Sequence, residues 1–217
     1  MICICLSRIS FSEVLSIVKK EKFCEIRIDL LNLNDEEIKI VFRQSSKLIA
    51  TCHPFNHSLK YSIEKLRLAI DAGASYIDID INLSSELKEL IDYAKQNNCK
   101  VIISYHNFQF TPDSSSLINV IEESFVLGAD IAKVACMVNN NKDNQIILSL
   151  YEKFMKNLVA IGMGNLAKRT RWEALLKGAP FTYACLYKGK ETALGQMDKK
   201  TMLNLLNKAG SQLPIIV

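Results

Sequence analysis

A lysine lies in the middle of an apolar segment, where a charged side chain is uncommon. Lys133 stands within the run 129–135, and lysine is seldom buried in a protein without a role. Burial disfavours an ammonium group, so we expect a lowered pKa and an amine that attacks a carbonyl carbon to form an imine. A second cation such as Arg171 would lower the pKa further. The alternatives are a lysine that extends to solvent or one that pairs with Asp130.

A histidine follows the apolar run 101–105, at the point where a predicted strand ends. Histidine is the usual proton carrier near neutral pH. The C-terminal ends of barrel strands are also where barrel enzymes keep their catalytic groups. His106 is therefore a candidate general base, and a structural capping role is the alternative.

Charged and apolar residues alternate in the segments 24–29 and 76–81. Successive side chains of a strand point to opposite faces, so the charges of each segment share one face. If helices cover the apolar face, the charged face points into a barrel and lines a polar site. One exposed edge strand with a polar face is the alternative. The residues assigned to the inner face are Glu25, Arg27, Asp29, Tyr76, Asp78 and Asp80.

Eight short β-branched runs alternate along the chain with eight longer amphipathic segments. The strict alternation predicts a parallel sheet with helices outside it. Eight units favour an α/β fold, a (β/α)8 TIM barrel in a single domain over 1–217, above an open doubly wound sheet. The predicted strands are Ile2–Leu6, Phe23–Asp29, Lys47–Thr51, Tyr76–Ile81, Lys100–Tyr105, Ile131–Cys136, Asn157–Ile161 and Phe181–Leu186. The predicted helices are Ser12–Glu21 (capped by Ser10 or Ser12), Asp35–Gln44, Leu59–Ala72, Ser84–Asn97, Ser114–Leu127, Asn144–Lys156, Asn165–Leu176 and Asp198–Ala209.

Composition excludes several classes of protein. The formal net charge is +4 over 217 residues, and lysines interspersed with carboxylates argue against a nucleic-acid-binding surface. Seven cysteines without a Cys-x-x-Cys pair predict buried free thiols in a reducing compartment, not disulfides or zinc ligands. No run approaches the roughly 20 apolar residues of a membrane span, and the first residues lack a secretory signal pattern. We expect a cytoplasmic protein with no metal and no membrane association.

Six segments, in this order, resemble type I 3-dehydroquinate dehydratase, and the resemblance covers essentially the whole chain. It implies a (β/α)8 barrel that dehydrates 3-dehydroquinate to 3-dehydroshikimate in the shikimate pathway of aromatic amino-acid biosynthesis. It also implies that no cofactor is used, and that a homodimer is possible. The matching segments are Glu25–Asp29, Tyr76–Asp80, Ser104–Phe108, Ala129–Ala135, Ile161–Gly164 with Thr170 and Arg171, and Thr192–Gln196.

The resemblance also implies roles for individual residues. Lys133 forms the imine with the substrate ketone, and His106 removes the neighbouring proton and later passes one to the departing hydroxyl. Asp78 is a candidate to orient His106 or tune its charge. Substrate contacts are implied for Glu25, Arg27, His53, Arg171 (to the carboxylate), Thr192 and Gln196 (on a loop that closes over the substrate), with Met163 and Phe108 as apolar walls.

The sequence departs from the family pattern at five positions. His53 stands where an arginine helps to hold substrate, and His57 lies near the place of a missing glutamate. A histidine cannot imitate a guanidinium fork, so we expect weaker or more pH-sensitive substrate binding. Leu194 replaces a proline, from which we expect a looser closing loop. Ala167 replaces a glycine and Cys5 a serine.

Two other functions stay open at this point. Another lysine-dependent barrel, such as a class I aldolase, would share Lys133, although the segment 162–164 is glycine-poor for the phosphate loop that such enzymes use. A non-catalytic sensor of a shikimate-like ligand would account for the lost arginine. A sensor, however, needs neither an amine nucleophile nor a base.

Overall fold

Eight parallel strands alternate with eight α-helices in the computed structural model, which describes residues 1–44, 47–54, 57–83 and 87–210. The strands are β1 Ile2–Leu6, β2 Cys24–Arg27, β3 Leu48–Thr51, β4 Tyr76–Asp80, β5 Lys100–Asn107, β6 Ile131–Met137, β7 Leu158–Met163 and β8 Thr182–Ala184. The helices are α1 Phe11–Val18, α2 Asp35–Phe42, α3 Leu59–Asp71, α4 Lys88–Gln96, α5 Ser114–Val126, α6 Asn141–Ser149, α7 Lys168–Leu176 and α8 Lys199–Gly210.

The strands form one sheet that curls into a nearly closed barrel. Its order is β7-β6-β5-β4-β3-β2-β1-β8, and every pair of neighbours in this order is parallel. Each crossover between parallel neighbours requires a connection long enough to return the chain, and a helix provides it. The predicted (β/α)8 barrel is confirmed.

The alternation in β2 and β4 has the predicted orientation. Cys24, Ile26 and Ile77 pack in the apolar layer between strands and helices, which is the outer face of the barrel. Glu25 and Asp78 are on the opposite face, and each is less than 5% exposed. The charged residues therefore point into the barrel, where buried charges require partners.

Aromatic rings fill the N-terminal end of the barrel interior. Phe23 and Phe181 meet edge to face with centroids 5.0 Å apart, and Tyr76 contacts both. Edge-to-face contact places the positive edge of one ring on the negative face of another. Because this end is filled, the polar side chains further along the strands have space only toward the C-terminal mouth.

Two strand ends differ from the predicted ones in ways that matter for the site. β2 ends at Arg27, because residues Ile28–Leu30 turn into a 3-10 helix. β5 continues to Asn107, so His106 lies within the strand instead of after it. The extension pairs His106 with Ala135 of β6 and fixes the imidazole beside the neighbouring strands.

Helix boundaries also shift where a capping residue competes with the apolar pattern. α1 begins after Ser10, whose side chain accepts from the N–H of Glu13 while Glu13 accepts from that of Ser10; this reciprocal pair is a capping box. α6 starts earlier than predicted, at Asn141, because Asn140 forms the same arrangement with Asp143. The predicted start of the fourth helix at Ser84 lies outside the described residues.

The cysteines and the helices agree with the composition. All seven cysteines are free and buried, as predicted. Across the described ranges, every helix is too short or too polar to cross a membrane.

Candidate active site

A cavity of about 240 Å³ opens at the C-terminal mouth of the barrel. This is the end at which barrel enzymes place their catalytic groups. Every predicted site residue except Asp78 lines it. Those residues are Glu25, Arg27, His53, His106, Phe108, Lys133, Met163, Arg171, Thr192 and Gln196.

Lys133 is in the middle of β6, and its side chain is directed into the barrel. Its Nζ donates to Asp78 Oδ2 at 2.7 Å, lies 3.9 Å from Glu25 Oε1, and is 4.7 Å from the ring centroid of Tyr183. Lys133 therefore pairs with Asp78, whereas Asp130 accepts from the N–H of Val101.

The prediction of a lowered lysine pKa is wrong for the resting protein. Burial acts to lower the pKa of Lys133, but the carboxylates of Asp78 and Glu25 outweigh it and hold the pKa above its ordinary value. The cation that opposes them is Arg27, not Arg171. The amine is thus an ammonium ion at neutral pH, and it must release a proton before it can attack a carbonyl.

Asp78 lies beneath the cavity, behind the lysine. Its Oδ1 accepts from the hydroxyl of Ser104 at 2.6 Å and its Oδ2 from Lys133. Burial acts to raise the pKa of Asp78, but the charge of Lys133 prevails and holds the pKa well below its usual range. Asp78 interacts electrostatically with His106, as the charge-tuning prediction requires, but the carboxylate nearest the imidazole is Asp80, with Oδ2 3.7 Å from Nδ1, so the orienting role predicted for Asp78 is not supported.

Glu25 connects the lysine to the first strand. One carboxylate oxygen accepts from the Thr51 hydroxyl at 2.9 Å, and the other from the thiol of Cys5 at 2.6 Å. The register of the sheet places Cys5 directly beside Glu25 on adjacent strands. The thiol in turn accepts from the hydroxyl of Thr192 at 3.2 Å, so a chain of hydrogen bonds joins the barrel wall to the loop after β8.

Arg27 points into the mouth with its guanidinium held by Asp29. The two side chains form two parallel hydrogen bonds, Nε to Oδ1 at 3.0 Å and Nη2 to Oδ2 at 2.7 Å. Asp29 was assigned to the inner face of a longer strand; the 3-10 turn instead brings it alongside Arg27. Burial acts to lower the pKa of Arg27, but Asp29 and Glu25 raise it overall, so the guanidinium stays charged.

Arg171 is a buried cation that forms no ion pair with the residues that the structure describes. It is 1% exposed, and its Nε and Nη2 atoms have no hydrogen-bond partner among the described residues. Burial lowers the pKa of Arg171 to about 10. Thr170 fixes its position by accepting from the N–H of Gly162 at 2.8 Å, which ties the start of α7 to β7. A planar donor group that is buried and unsatisfied suits a carboxylate ligand.

His53 and His106 stand side by side in the cavity wall. Their rings meet edge to face with centroids 5.8 Å apart, while Phe108 stacks on His106 at 6.0 Å. Burial lowers the pKa of His53, so this imidazole is neutral at neutral pH. His57 stacks on Tyr61 instead and does not line the cavity.

The loop between β8 and α8 covers one side of the cavity. Gln196 Oε1 accepts from the N–H of Thr192 at 2.7 Å, and the carbonyl of Leu194 accepts from the N–H of Gly164 at 2.9 Å. Gly195 has φ +77, and a Cβ there would stand 2.1 Å from the carbonyl oxygen of Gly164. Only glycine permits this approach.

A family model described as type I 3-dehydroquinase matches residues 2–212. The chain belongs to this family. Family members are lyases, so the chain is an enzyme.

Relatives include the 3-dehydroquinate dehydratase of Methanococcus maripaludis strain C5, 34% identical over 95% of this chain and 98% of the relative. The type I 3-dehydroquinase fold also recurs in solved structures. That of the Aquifex aeolicus enzyme is 27% identical with a TM-score of 0.82, over 96% of this chain and 98% of that one. That of the Geobacillus kaustophilus enzyme is 19% identical with a TM-score of 0.85, over 97% and 91%, and shows the fold alone.

Two polar residues of this dehydroquinase cavity were not predicted from the sequence, Arg8 and Tyr183. Arg8 lines the cavity from the loop after β1, with φ +52 and its N–H bonded to the carbonyl of Leu30. Tyr183 forms part of the wall beside Lys133. Cys5, named above as a departure from the family pattern, donates to Glu25, and Asp80, assigned above to the inner face of its strand, lies near His106. Position at a strand's C-terminal end could have identified Arg8, whereas Tyr183 looks like an ordinary core residue.

Proposed function

We propose that the protein dehydrates 3-dehydroquinate to 3-dehydroshikimate through an imine on Lys133. The substrate is a cyclic ketone that carries a carboxylate and several hydroxyls. What supports this most is one arrangement: a buried lysine paired with an internal carboxylate, an imidazole in the same cavity, and an arginine facing it with two nitrogens that lack a partner among the described residues. The lysine reacts with the ketone, the imidazole takes the proton from the neighbouring carbon, and the arginine binds the carboxylate.

The first step requires a neutral amine. The Lys133 ammonium gives a proton to the neighbouring carboxylates of Asp78 or Glu25 as the ketone enters. Its nitrogen then bonds to the ketone carbon, and the ketone oxygen leaves as water when the C=N bond forms. The imine nitrogen regains a proton and becomes cationic, so Asp78 again faces a positive charge 2.7 Å away. Catalysis gains because the buried carboxylate stabilises this cation without reorganising.

The second step is proton removal from the carbon beside the imine. The cationic imine accepts the electron pair of the broken C–H bond, and His106 takes the proton. The electron pair then returns to form the C=C bond as the neighbouring hydroxyl departs with the proton that His106 carried, as water. Hydrolysis of the imine restores the Lys133 amine and releases a conjugated enone.

Substrate binding falls to the remaining cavity residues. We assign the carboxylate to Arg171, because its Nε and Nη2 atoms have no hydrogen-bond partner within the described part of the chain. We assign hydroxyls to Glu25 and Arg27, and the covering role to Thr192 and Gln196 on the loop. His53, neutral at neutral pH, contributes one hydrogen bond at the position where the family resemblance implies an arginine.

The test is incubation with 3-dehydroquinate while the absorbance of the conjugated product is followed. Borohydride is then added with the substrate, and peptides are mapped by mass. We expect turnover and a single reduced adduct on Lys133, and a Lys133→Met variant that shows neither. A Lys142→Met variant, which removes an exposed lysine outside the cavity, is the matched control and should retain both.

Three results would contradict the proposal. An adduct on another lysine, or turnover without any adduct, would exclude the imine on Lys133. Thermal stabilisation by substrate without turnover would instead support a ligand sensor. The single-domain extent over 1–217, the homodimer, the place in the shikimate pathway and the cytoplasmic location stay predictions.

A further inference from the structure

The amine of Lys133 faces an aromatic ring as well as its carboxylate partners. Tyr183 is the middle residue of β8 and is 3% exposed. Lys133 Nζ lies over the Tyr183 ring, 4.7 Å from its centroid, while Asp78 Oδ2 is 2.7 Å from the same nitrogen. A cation within about 6 Å of a ring centroid is attracted to the negative face of the ring. The ring is therefore a third electrostatic partner of the amine, besides Asp78 and Glu25.

The surroundings of Tyr183 keep its ring neutral and fixed in place. Phe181 meets the ring edge to face with centroids 5.5 Å apart, and the register of the sheet puts Cys3 of β1 beside it. Burial raises the pKa of Tyr183 well above its ordinary value, and the charges of Glu25 and Asp78 raise it further. Because the side chain does not become a phenolate near neutral pH, it is the face of the ring that attracts the cation.

The hydroxyl of Tyr183 does not account for a large side chain at this position. Its oxygen is buried and has no hydrogen-bond partner among the described residues. A buried hydroxyl without a partner costs stability, so the favourable contacts of Tyr183 are those of its ring. The ring forms them with Lys133, with Phe181 and with an apolar cluster that includes Ile161 and Met163.

The ring face suits both charged forms of the nitrogen that the proposed reaction requires. An ammonium group has three N–H donors, whereas a protonated imine keeps one. That one N–H has Asp78 as its acceptor, which leaves no donor for a second carboxylate. The attraction of a cation to a ring face depends on the charge and not on an N–H donor. The ring therefore remains a partner when the ammonium becomes an imine.

We propose that the ring face of Tyr183 is a positioning contact of the reacting nitrogen, which holds the Lys133 ammonium in the resting protein and the protonated imine during turnover. The part that concerns the imine rests on the proposed dehydratase function, but the contact with the free amine does not. The other charged or titratable groups that act on the amine come from four neighbouring segments and stay in place in every variant used below. They are Cys3 of β1, Glu25 and Arg27 of β2, His53 after β3 and Asp78 of β4.

The test replaces Tyr183 by phenylalanine and then by phenylalanines that carry one, two and three ring fluorines. Fluorine changes the shape of the ring little but withdraws electrons from its face, so the attraction to a cation weakens stepwise. Tyr183→Leu removes the ring altogether. Phe181→Leu is the matched control, because it removes a ring from the same strand and the same apolar cluster, at the filled N-terminal end of the barrel.

Trace acetylation reports the fraction of the Lys133 amine that is neutral. Acetic anhydride is added at about pH 8, where the acetylation rate of a lysine is proportional to its neutral fraction. Peptide mass mapping gives the rate at Lys133 relative to that at Lys142, an exposed lysine of the same sample.

We expect the relative rate at Lys133 to rise with each fluorine, and to rise about 2- to 30-fold in Tyr183→Leu, the range for the loss of a cation–π contact. Tyr183→Phe keeps the ring face, so its relative rate should stay close to that of the wild type, as should that of Phe181→Leu. With 3-dehydroquinate as substrate, kcat should fall along the fluorinated series while the acetylation rate rises, because the protonated imine loses a partner. Lost packing alone would not produce these opposite trends.

Three results would overturn the inference. The first is an acetylation rate that stays the same across the fluorinated rings, which fill the same space even if Tyr183→Leu does not fold. The second is a rise in Tyr183→Phe as large as in Tyr183→Leu, which would assign the effect to the hydroxyl. The third is an equal rise in Phe181→Leu, which would assign it to a loosened core. If the wild type fails to turn over 3-dehydroquinate, the proposed function is wrong, whereas the acetylation series still decides the role of Tyr183.

Discussion

Replacing Lys133 by methionine isolates a buried carboxylate. Methionine is close to lysine in length but carries no charge. Asp78, 1% exposed, would keep its bond from the Ser104 hydroxyl and lose the 2.7 Å contact with the ammonium. Breaking a buried ion pair by removing one partner typically costs about 3–5 kcal/mol.

A second argument sets a ceiling on that cost. Without its partner, the Asp78 carboxylate can become neutral by binding a proton in the folded state. For a carboxyl group with an unfolded pKa of about 3.9, protonation at pH 7 costs about 3 pH units, or about 4 kcal/mol. The free energy of unfolding of Lys133→Met should therefore lie at most about 4 kcal/mol below that of the wild type on this account.

The loss of stability in Lys133→Met should depend on pH, and the sign of this dependence follows from the pKa of Asp78. In the wild type the pKa of Asp78 is depressed, so the group is ionised in both states above pH 4 or so and gives no slope there. In the variant the folded protein binds a proton that the unfolded chain lacks, so stability rises as pH falls. Between pH 7 and pH 5 the gap to the wild type should narrow by up to about 2.7 kcal/mol.

Urea unfolding of the variant and the wild type at pH 7 and pH 5 measures the difference between their free energies of unfolding directly. A Lys133→Met, Asp78→Asn double variant removes the carboxylate that contacts Nζ most closely, and its difference in stability from the wild type should change with pH much less than that of the single variant. A single variant whose gap is the same at pH 7 and pH 5 would refute the reasoning.

Three further changes test the substrate-binding residues. Arg171→Met should raise the free energy of unfolding by about 1–3 kcal/mol, because it removes buried unsatisfied donors. The same variant should raise KM at least about 100-fold, because the substrate carboxylate loses its partner. An unchanged KM would contradict the assignment of the carboxylate to Arg171. His53→Arg should lower KM and make KM depend less on pH. Burial lowers the pKa of His53, so the wild-type ring becomes charged only in acid, whereas an arginine is charged throughout. The same dependence of KM on pH in the variant and the wild type would reject this. Arg8→Gly should raise KM several-fold while stability stays within about 0.5 kcal/mol, because glycine tolerates the φ of +52; urea unfolding and steady-state kinetics report the two effects.

Much of the site was predictable because strand geometry is strict. Side chains alternate between faces with a period of two, so the inward direction of Glu25 and Asp78 follows once helices are assumed outside. Lys133 was identifiable because a lysine flanked by apolar residues in a strand has few explanations other than burial with a partner.

The partners were not predictable, because they depend on strand register and on turns. Which carboxylate of another strand Lys133 meets is decided by how β4, β5 and β6 are aligned with one another, and a single strand carries no such information. The prediction of a lowered pKa for Lys133 was wrong for the same reason. Burial lowers this pKa, but the 2.7 Å contact with the Asp78 carboxylate raises it. Arg8 occupies a positive φ that nothing in its neighbouring residues signals.

The way the loop after β8 is attached to the barrel determines which of its positions tolerate substitution. The loop is tied to the end of β7 by main-chain atoms, from the N–H of Gly164 to the carbonyl of Leu194. Proline and leucine offer the same carbonyl, and the Leu194 side chain is 69% exposed, so position 194 can vary without releasing the tether. Position 195 has no such freedom, because any side chain there strikes the Gly164 carbonyl. Two adjacent positions on one loop therefore differ in mutational tolerance.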